Sequence, residues 1–171
     1  VRSIDSGKAS RRQSGCSRGV VMEPVYQEIL IHYSRESCLD GRKPGFLPSH
    51  HCSPTNPLCG DQVDLYFLVK EESIWNCECS AQACAITRAS AAILRETLLQ
   101  KGVEESCSVM REFLTSFDAI IEGEKAFAGQ SEAMKALLNV AGLPARRACA
   151  RMCWDDTLGL LGGDLASGKE L

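Results

Sequence analysis

Several features are missing from this 171-residue sequence, and each absence excludes a class of protein. It has no run of about eighteen apolar residues, so no segment is predicted to cross a membrane as a helix. The basic residues near the N-terminus are not followed by the apolar stretch of a secretory signal. The net charge is only -3, and Lys and Arg are dispersed beyond the first twenty residues. We therefore expect a cytoplasmic protein that binds neither nucleic acid nor membranes.

The length and composition predict a single domain. An apolar fraction of 44% over 171 residues is enough for one hydrophobic core. Residues 1–20 are rich in Ser, Arg, Lys and Gly, and burial would not offset the entropy of ordering them. We expect a flexible tail over residues 1–20 and one domain over residues 21–171.

Cysteine is abundant, with ten in the chain. A chain of this length does not need disulfides to hold its fold together, so metal binding or thiol chemistry is the better interpretation. An isolated cysteine can also be a small buried apolar residue. We expect that role for most of Cys16, Cys38, Cys52, Cys77, Cys79, Cys107 and Cys153.

The first half of the chain is predicted to contain one helix and a small antiparallel sheet. Helical spacing of apolar residues over 23–33 indicates an amphipathic helix. Four prolines between residues 34 and 57 favour irregular backbone with one short strand at most. Alternation then predicts two strands joined by a turn at residues 70–73, with Trp75 on the face of Cys77 and Cys79.

After residue 83 the spacing is helical throughout. A first helix is predicted to end with Gly102 as its C-terminal cap. Two further helices follow, and Pro144 separates them from a last helix over 145 to about 161. The expected fold class is α+β, a small antiparallel β-sheet with helices packed on one face.

Three cysteines stand at predicted boundaries between elements. Cys59 closes a loop that contains Pro57, Cys84 begins a helix, and Cys149 lies in the first turns of the last helix. A thiolate at Cys84 would be stabilised by the positive end of the helix dipole. Asp61 stands two residues after Cys59, on the same side if the chain is extended there.

Three motifs in a fixed order carry a family resemblance. They are Asn-Pro-Leu-Cys-Gly-Asp at 56–61, Cys-Ala-Ile-Thr at 84–87 and Pro-Ala-Arg-Arg-Ala-Cys-Ala at 144–150. They resemble the U-type iron-sulfur cluster assembly proteins, which include IscU, SufU and the N-terminal domain of NifU. IscU-like members have His where this chain has Ala148, and they have a shorter segment than residues 104–140. Both features resemble the SufU branch.

The resemblance implies a zinc site and a sulfur-transfer function. Zinc would be held by Cys59, Asp61, Cys84 and Cys149, and three thiolates with one carboxylate suit a tetrahedral zinc ion. Cys59 would accept sulfur from the persulfide of a cysteine desulfurase, as in a zinc-dependent sulfurtransferase. Arg146 would stabilise the negative charge. Downstream iron-sulfur assembly proteins would be further partners.

Two alternatives remain open from the sequence. The same cysteines could bind iron, and the protein would then be a scaffold that assembles and transfers a [2Fe-2S] cluster. Zinc could instead be purely structural in a divergent paralogue. The residues before Cys84 favour this last hypothesis, since Ser80-Ala81-Gln82-Ala83 stands where the family has glycines.

Overall fold

The computed structural model of the chain describes residues 22–35, 39, 41–124 and 131–167. The tail predicted at residues 1–20 lies outside these residues, as do Cys16 and Cys38. The described part contains α-helices and strands, with two short 3-10 turns before the last helix. In chain order they are α1 (Pro24–Arg35), β1 (His50–Cys52), β2 (Thr55–Asn56), β3 (Asp61–Lys70), β4 (Ser73–Gln82), α2 (Ala85–Leu98), α3 (Val103–Ile121), α4 (Glu132–Leu138), the 3-10 turns Asn139–Gly142 and Pro144–Arg146, and α5 (Arg147–Ser167).

The sheet is antiparallel, with β3 at its centre. Strand β4 pairs along nearly the whole of β3, and the short strands β1 and β2 both pair with β3 as well. Since a strand has only two edges, β1 and β2 share the edge that β4 leaves open. The predicted alternation in β3 is confirmed, because the residues facing the core are buried and those between them are more exposed. The buried set is Val63, Leu65, Phe67 and Val69.

A β-bulge changes the faces of β4 from those predicted. Leu68 pairs with Asn76 but Val69 pairs with Ile74, so Trp75 is an extra residue on the β4 side. The bulge breaks the two-residue period. The prediction that Trp75 shares a face with Cys77 was therefore wrong: Trp75 is 56% exposed, while Ile74 is buried with Cys77.

The predicted role of Gly102 was also wrong. Helix α2 ends at Leu98, and Gly102 is the N-terminal cap of α3. Helix α2 ends early because its C-terminal neighbours pair with the start of β4. The Gln100 N–H donates to the Ile74 carbonyl at 2.8 Å, and the Lys101 carbonyl accepts from the Ile74 N–H at 2.8 Å. The last helix likewise begins at Arg147, after a 3-10 turn, and extends beyond residue 161 to Ser167.

The helices pack on the buried face of the sheet, which confirms the predicted α+β architecture. Helices α2 and α5 contact the strands directly, α1 and α4 pack on α2, and α3 packs on α5. Cys77, Cys79, Cys107 and Cys153 are buried in this core, as expected. No helix of the described part has the length and apolar character needed to span a membrane.

A buried polar contact joins α2 to α5, the helices that present Cys84 and Cys149. The Trp154 indole N–H donates to the Ser90 hydroxyl at 3.1 Å, and that hydroxyl donates to the Ala150 carbonyl at 2.7 Å. The Trp154 ring stacks on Phe113 with 4.0 Å between centroids. The contact therefore holds the two helices in one register through polar groups that water cannot reach.

Replacing Ser90 with Ala is expected to lower the free energy of unfolding by roughly 1–3 kcal/mol, because the buried Trp154 N–H loses its acceptor. Urea denaturation measures this loss.

Ser106→Ala is the matched control for Ser90→Ala. Its hydroxyl is also fully buried, but it has no hydrogen-bond partner among the described residues. Removing an unpaired hydroxyl in favour of a better helix former should leave stability unchanged or raise it slightly. Equal destabilisation by the two variants would contradict the role given to Ser90.

Candidate metal centre

The loop at residues 56–60 presents Cys59 at the surface. The Asn56 side-chain oxygen accepts from the Leu58 N–H at 3.1 Å, and the Asn56 carbonyl accepts from the N–H groups of Cys59 and Gly60 at 3.3 and 2.9 Å. Gly60 has a φ of 75°, which glycine adopts at little cost. The chain therefore turns between Cys59 and Asp61, so it does not meet the condition of an extended chain under which their side chains were expected to share one side. Leu58, at the tip of this turn, is 92% exposed.

The Asp61 carboxylate lies against the start of α2. Its Oδ1 accepts from the Cys84 backbone N–H at 2.9 Å, and its Oδ2 accepts from the Thr87 hydroxyl at 2.6 Å. The side chain is only 5% exposed. Burial acts to raise the pKa of Asp61, but the hydrogen bonds from Thr87, Cys84 and Cys59 outweigh it, so the pKa is lowered overall. Asp61 is thus a buried carboxylate held in its charged form near the positive end of a helix.

Cys149 meets Cys59 and Asp61 from the other side. One ligand atom from each of the three residues lies within 4.8 Å of the other two, and the Cys59 and Cys149 sulfurs are 3.9 Å apart. The Asn56 amide Nδ2 donates to the Cys149 sulfur at 3.8 Å. Burial, followed by the charge of Cys84, raises the pKa of Cys149 to about 12. A bound cation is the ordinary means by which such a thiol becomes ionised.

Cys84 is the N-terminal cap residue of α2, as the sequence predicted. Its sulfur is 3.5 Å from the Thr87 hydroxyl oxygen, and it lies outside the group in which all ligand atoms are within 4.8 Å of one another. The residues before it continue β4 as far as Gln82. The structure therefore brings three of the four predicted ligands together and places the fourth beside them, on the same helix turn that holds Asp61.

Arg146 lies at the end of the 3-10 turn that leads into α5. Its side chain is exposed and makes no hydrogen bond or ion pair with the residues that the structure describes. Ala148 is exposed as well, whereas Cys149 is 1% exposed. Arg146 is thus a free cationic side chain close in sequence to the cluster.

Two residues of the site received no role from the sequence, Asn56 and Thr87. Both occur within the motifs at 56–61 and 84–87. Thr87 is the third residue of α2 after its cap residue Cys84, a spacing at which a side chain returns to the cap. A hydroxyl at that spacing was a signal that Thr87 faces the site.

The donor set fits a tetrahedral metal ion. Zn–S bonds of about 2.3 Å require sulfurs roughly 3.8 Å apart in a tetrahedron. The 3.9 Å between the Cys59 and Cys149 sulfurs matches that spacing. Thiolate and carboxylate ligands together suit zinc, and they also suit iron.

Comparison with known proteins gives consistent results. The model of the NifU-like N-terminal domain matches residues 37–147. The chain is 23% identical to the iron-sulfur cluster assembly scaffold protein IscU of Thermotoga maritima, over 79% of this chain and 91% of that protein. It is 24% identical to the zinc-dependent sulfurtransferase SufU of Bacillus subtilis, over 78% of this chain and 86% of that protein.

The fold is similar to a crystal structure from Fervidobacterium islandicum, described as an iron-sulfur cluster assembly scaffold protein for the SUF system. The TM-score is 0.65 at 22% identity, over 78% of this chain and 94% of the other. The predicted small sheet covered by helices is thus a fold found in solved structures.

Asp61→Ala is expected to lower the free energy of unfolding by roughly 1–3 kcal/mol even with a chelator present, because the start of α2 loses two charge-assisted hydrogen bonds. Asp64→Ala is the matched control, since Asp64 is also a β3 carboxylate but is partly exposed and bonds Ser53 and His51 outside the cluster. Asp64→Ala should lower the free energy of unfolding by no more than about 1 kcal/mol. Urea denaturation in EDTA compares the two, and an equal loss would refute the anchoring of α2 by Asp61.

Proposed function

This chain belongs to the family of NifU-like N-terminal domains, and on that premise we propose that it acts in iron-sulfur cluster assembly as a zinc-dependent acceptor of sulfur from a cysteine desulfurase. The observation that carries the proposal is the cluster in which exposed Cys59 meets buried Asp61 and Cys149. Similarity to a zinc-dependent sulfurtransferase and the absence of His at position 148 support this choice within the family.

Cys59, Asp61, Cys84 and Cys149 would hold the zinc ion. When bound, zinc supplies a positive charge that keeps the sulfur ligands ionised. The protein contributes rigidity: Asp61 is tied to the first turn of α2, and Cys149 is buried in α5. Cys59 alone among the described cysteines is exposed, and it sits on a surface turn.

The sulfur step uses that exposed thiol. The Cys59 thiolate attacks the terminal sulfur of the desulfurase persulfide, and a new S–S bond forms. The S–S bond of the desulfurase persulfide breaks, and its electron pair leaves on the desulfurase cysteine as a thiolate. Cys59 then carries the transferred sulfur as a persulfide. The exposed guanidinium of Arg146 would stabilise the negative charge of this group.

The setting of this chemistry is a reducing compartment, and we place it in the cytoplasm. All eight described cysteines are free thiols. A thiol that receives sulfur must stay reduced between cycles, which cytosolic conditions favour. Sulfur held on Cys59 would then pass to downstream iron-sulfur assembly proteins.

A second function is a scaffold that assembles a [2Fe-2S] cluster on the same residues and transfers it. Three sulfur ligands and one carboxylate suit iron as well as zinc. The chain is nearly as similar in sequence to an IscU scaffold protein as it is to the SufU protein, and this similarity favours the scaffold.

Cys59→Ala should abolish sulfur acceptance, because Cys59 supplies the attacking thiolate. The protein is incubated with a cysteine desulfurase and cysteine, and intact-mass spectrometry measures the added sulfur atom. Cys52→Ala is the control, since Cys52 is also partly accessible but bonds Thr157 outside the cluster. Persulfide formation on Cys59→Ala at the parent rate would rule out the role of Cys59.

Metal analysis and reconstitution distinguish the two functions. We expect freshly purified protein to hold about one zinc per chain, as a single four-ligand site requires. Anaerobic incubation with ferrous iron and sulfide should not give a stable cluster. A cluster that persists, shows iron-sulfur absorbance and moves to an apo-ferredoxin would favour the scaffold and overturn the sulfur-acceptor proposal.

A further inference from the structure

Thr87 is a polar residue in an unusually buried position next to the cluster. It is the third residue of α2 and has no exposed surface. Threonine is a weaker helix former than alanine, and a buried hydroxyl costs free energy unless it is hydrogen-bonded. The hydrogen bonds of the hydroxyl therefore explain why a threonine stands at this buried position.

The Thr87 hydroxyl contacts two of the four proposed ligands. It is 2.6 Å from Asp61 Oδ2 and 3.5 Å from the Cys84 sulfur. A hydroxyl has one proton to donate. The shortest contact has the length of an O–H···O⁻ bond, so the proton goes to the Asp61 carboxylate.

The bond from Thr87, together with the one from the Cys84 N–H, fixes the orientation of the Asp61 carboxylate. The Cys84 N–H holds Oδ1 and the Thr87 hydroxyl holds Oδ2, so both oxygens are fixed by the first turn of α2. The final torsion of an aspartate is broad and soft when nothing restrains it. With Oδ2 released, the carboxylate would be held at one oxygen only and could rotate.

We propose that Thr87 is a positioning residue of the metal centre, which holds the Asp61 carboxylate so that it offers one fixed oxygen to a bound zinc ion. Thr87 acts through Asp61 and is not itself a ligand. This inference rests on the proposed zinc site. It goes further by naming one buried hydroxyl that influences the zinc affinity and the coordination geometry of that site. Outer partners of metal ligands typically contribute about 10-fold to 100-fold in affinity.

The test compares zinc affinity in Thr87→Val and Thr87→Ser, measured by competition with a chromogenic chelator. Thr87→Val keeps the shape of the side chain and removes the hydroxyl, so zinc should bind about 10-fold to 100-fold more weakly. Thr87→Ser keeps the hydroxyl and should bind zinc within a few-fold of the parent. Thr87→Ala repeats the measurement if the valine variant does not fold.

Thr97→Val is the matched control on the same helix. Among the described residues the Thr97 hydroxyl bonds the Ile93 carbonyl within α2 and no group of the cluster, so its removal should leave zinc affinity unchanged. Co²⁺ in place of zinc supplies a second measurement. The parent should show the intense visible absorption of tetrahedral cobalt, and Thr87→Val should show a weaker spectrum as the carboxylate changes its mode of binding.

The outcomes separate the two proposals. A parent protein that binds zinc, with Thr87→Val equal to it in affinity and cobalt spectrum, overturns the role of Thr87 alone. Equal weakening by Thr87→Val and Thr87→Ser also overturns it, since packing and not the hydroxyl would then matter. A parent protein without zinc affinity overturns the zinc site and the role of Thr87 with it.

Discussion

The candidate site depends on one interaction, the pair of hydrogen bonds that the first turn of α2 donates to the Asp61 carboxylate. Asp61 is the first residue of β3, and Cys84 and Thr87 lie at the start of the helix that follows β4. The two hydrogen bonds therefore close the hairpin onto the helix. A buried carboxylate is costly unless it is paired, and here helix N–H and hydroxyl donors provide the partners. This contact therefore fixes the start of α2, which carries Cys84, relative to the loop that carries Cys59.

The site residues differ in how deeply they are buried. Asp61 and Cys149 are held inside the fold, where packing and hydrogen bonds restrict them. Cys59 lies on a turn closed by Asn56, with exposed Leu58 beside it. The proposed function, which holds a metal ion and exchanges sulfur with another protein, requires both kinds of ligand. In that proposal the buried residues maintain the geometry, and the accessible Cys59 thiol is the group that a partner can reach.

The fold errors share a physical cause. Periodicity correctly predicted β3, α3 and the layer of helices on one face, because burial of one face requires a regular spacing. It failed at Trp75 and Gly102, where backbone pairing decided the outcome. The bulge at Trp75 inserts a residue into the strand ladder, and the pairing of Gln100 and Lys101 with Ile74 ends α2 early. Neither the bulge nor this backbone pairing can be recognised from the spacing of apolar residues in the sequence.

The sequence by itself determined the fold class, the family and the identity of the candidate ligands, because these depend on local spacing and on three short motifs. The positions of Cys84 at the start of α2 and of Cys149 in the first turn of α5 followed from the predicted helix boundaries. Only the tertiary structure decided that Cys59, Asp61 and Cys149 converge, that Cys59 alone of them is exposed, and that Thr87 holds Asp61. The physical reason is that Asp61 and Thr87 are 26 positions apart and Cys59 and Cys149 are 90 positions apart, so their distances are set by how the sheet and helices pack and by no property of the local sequence.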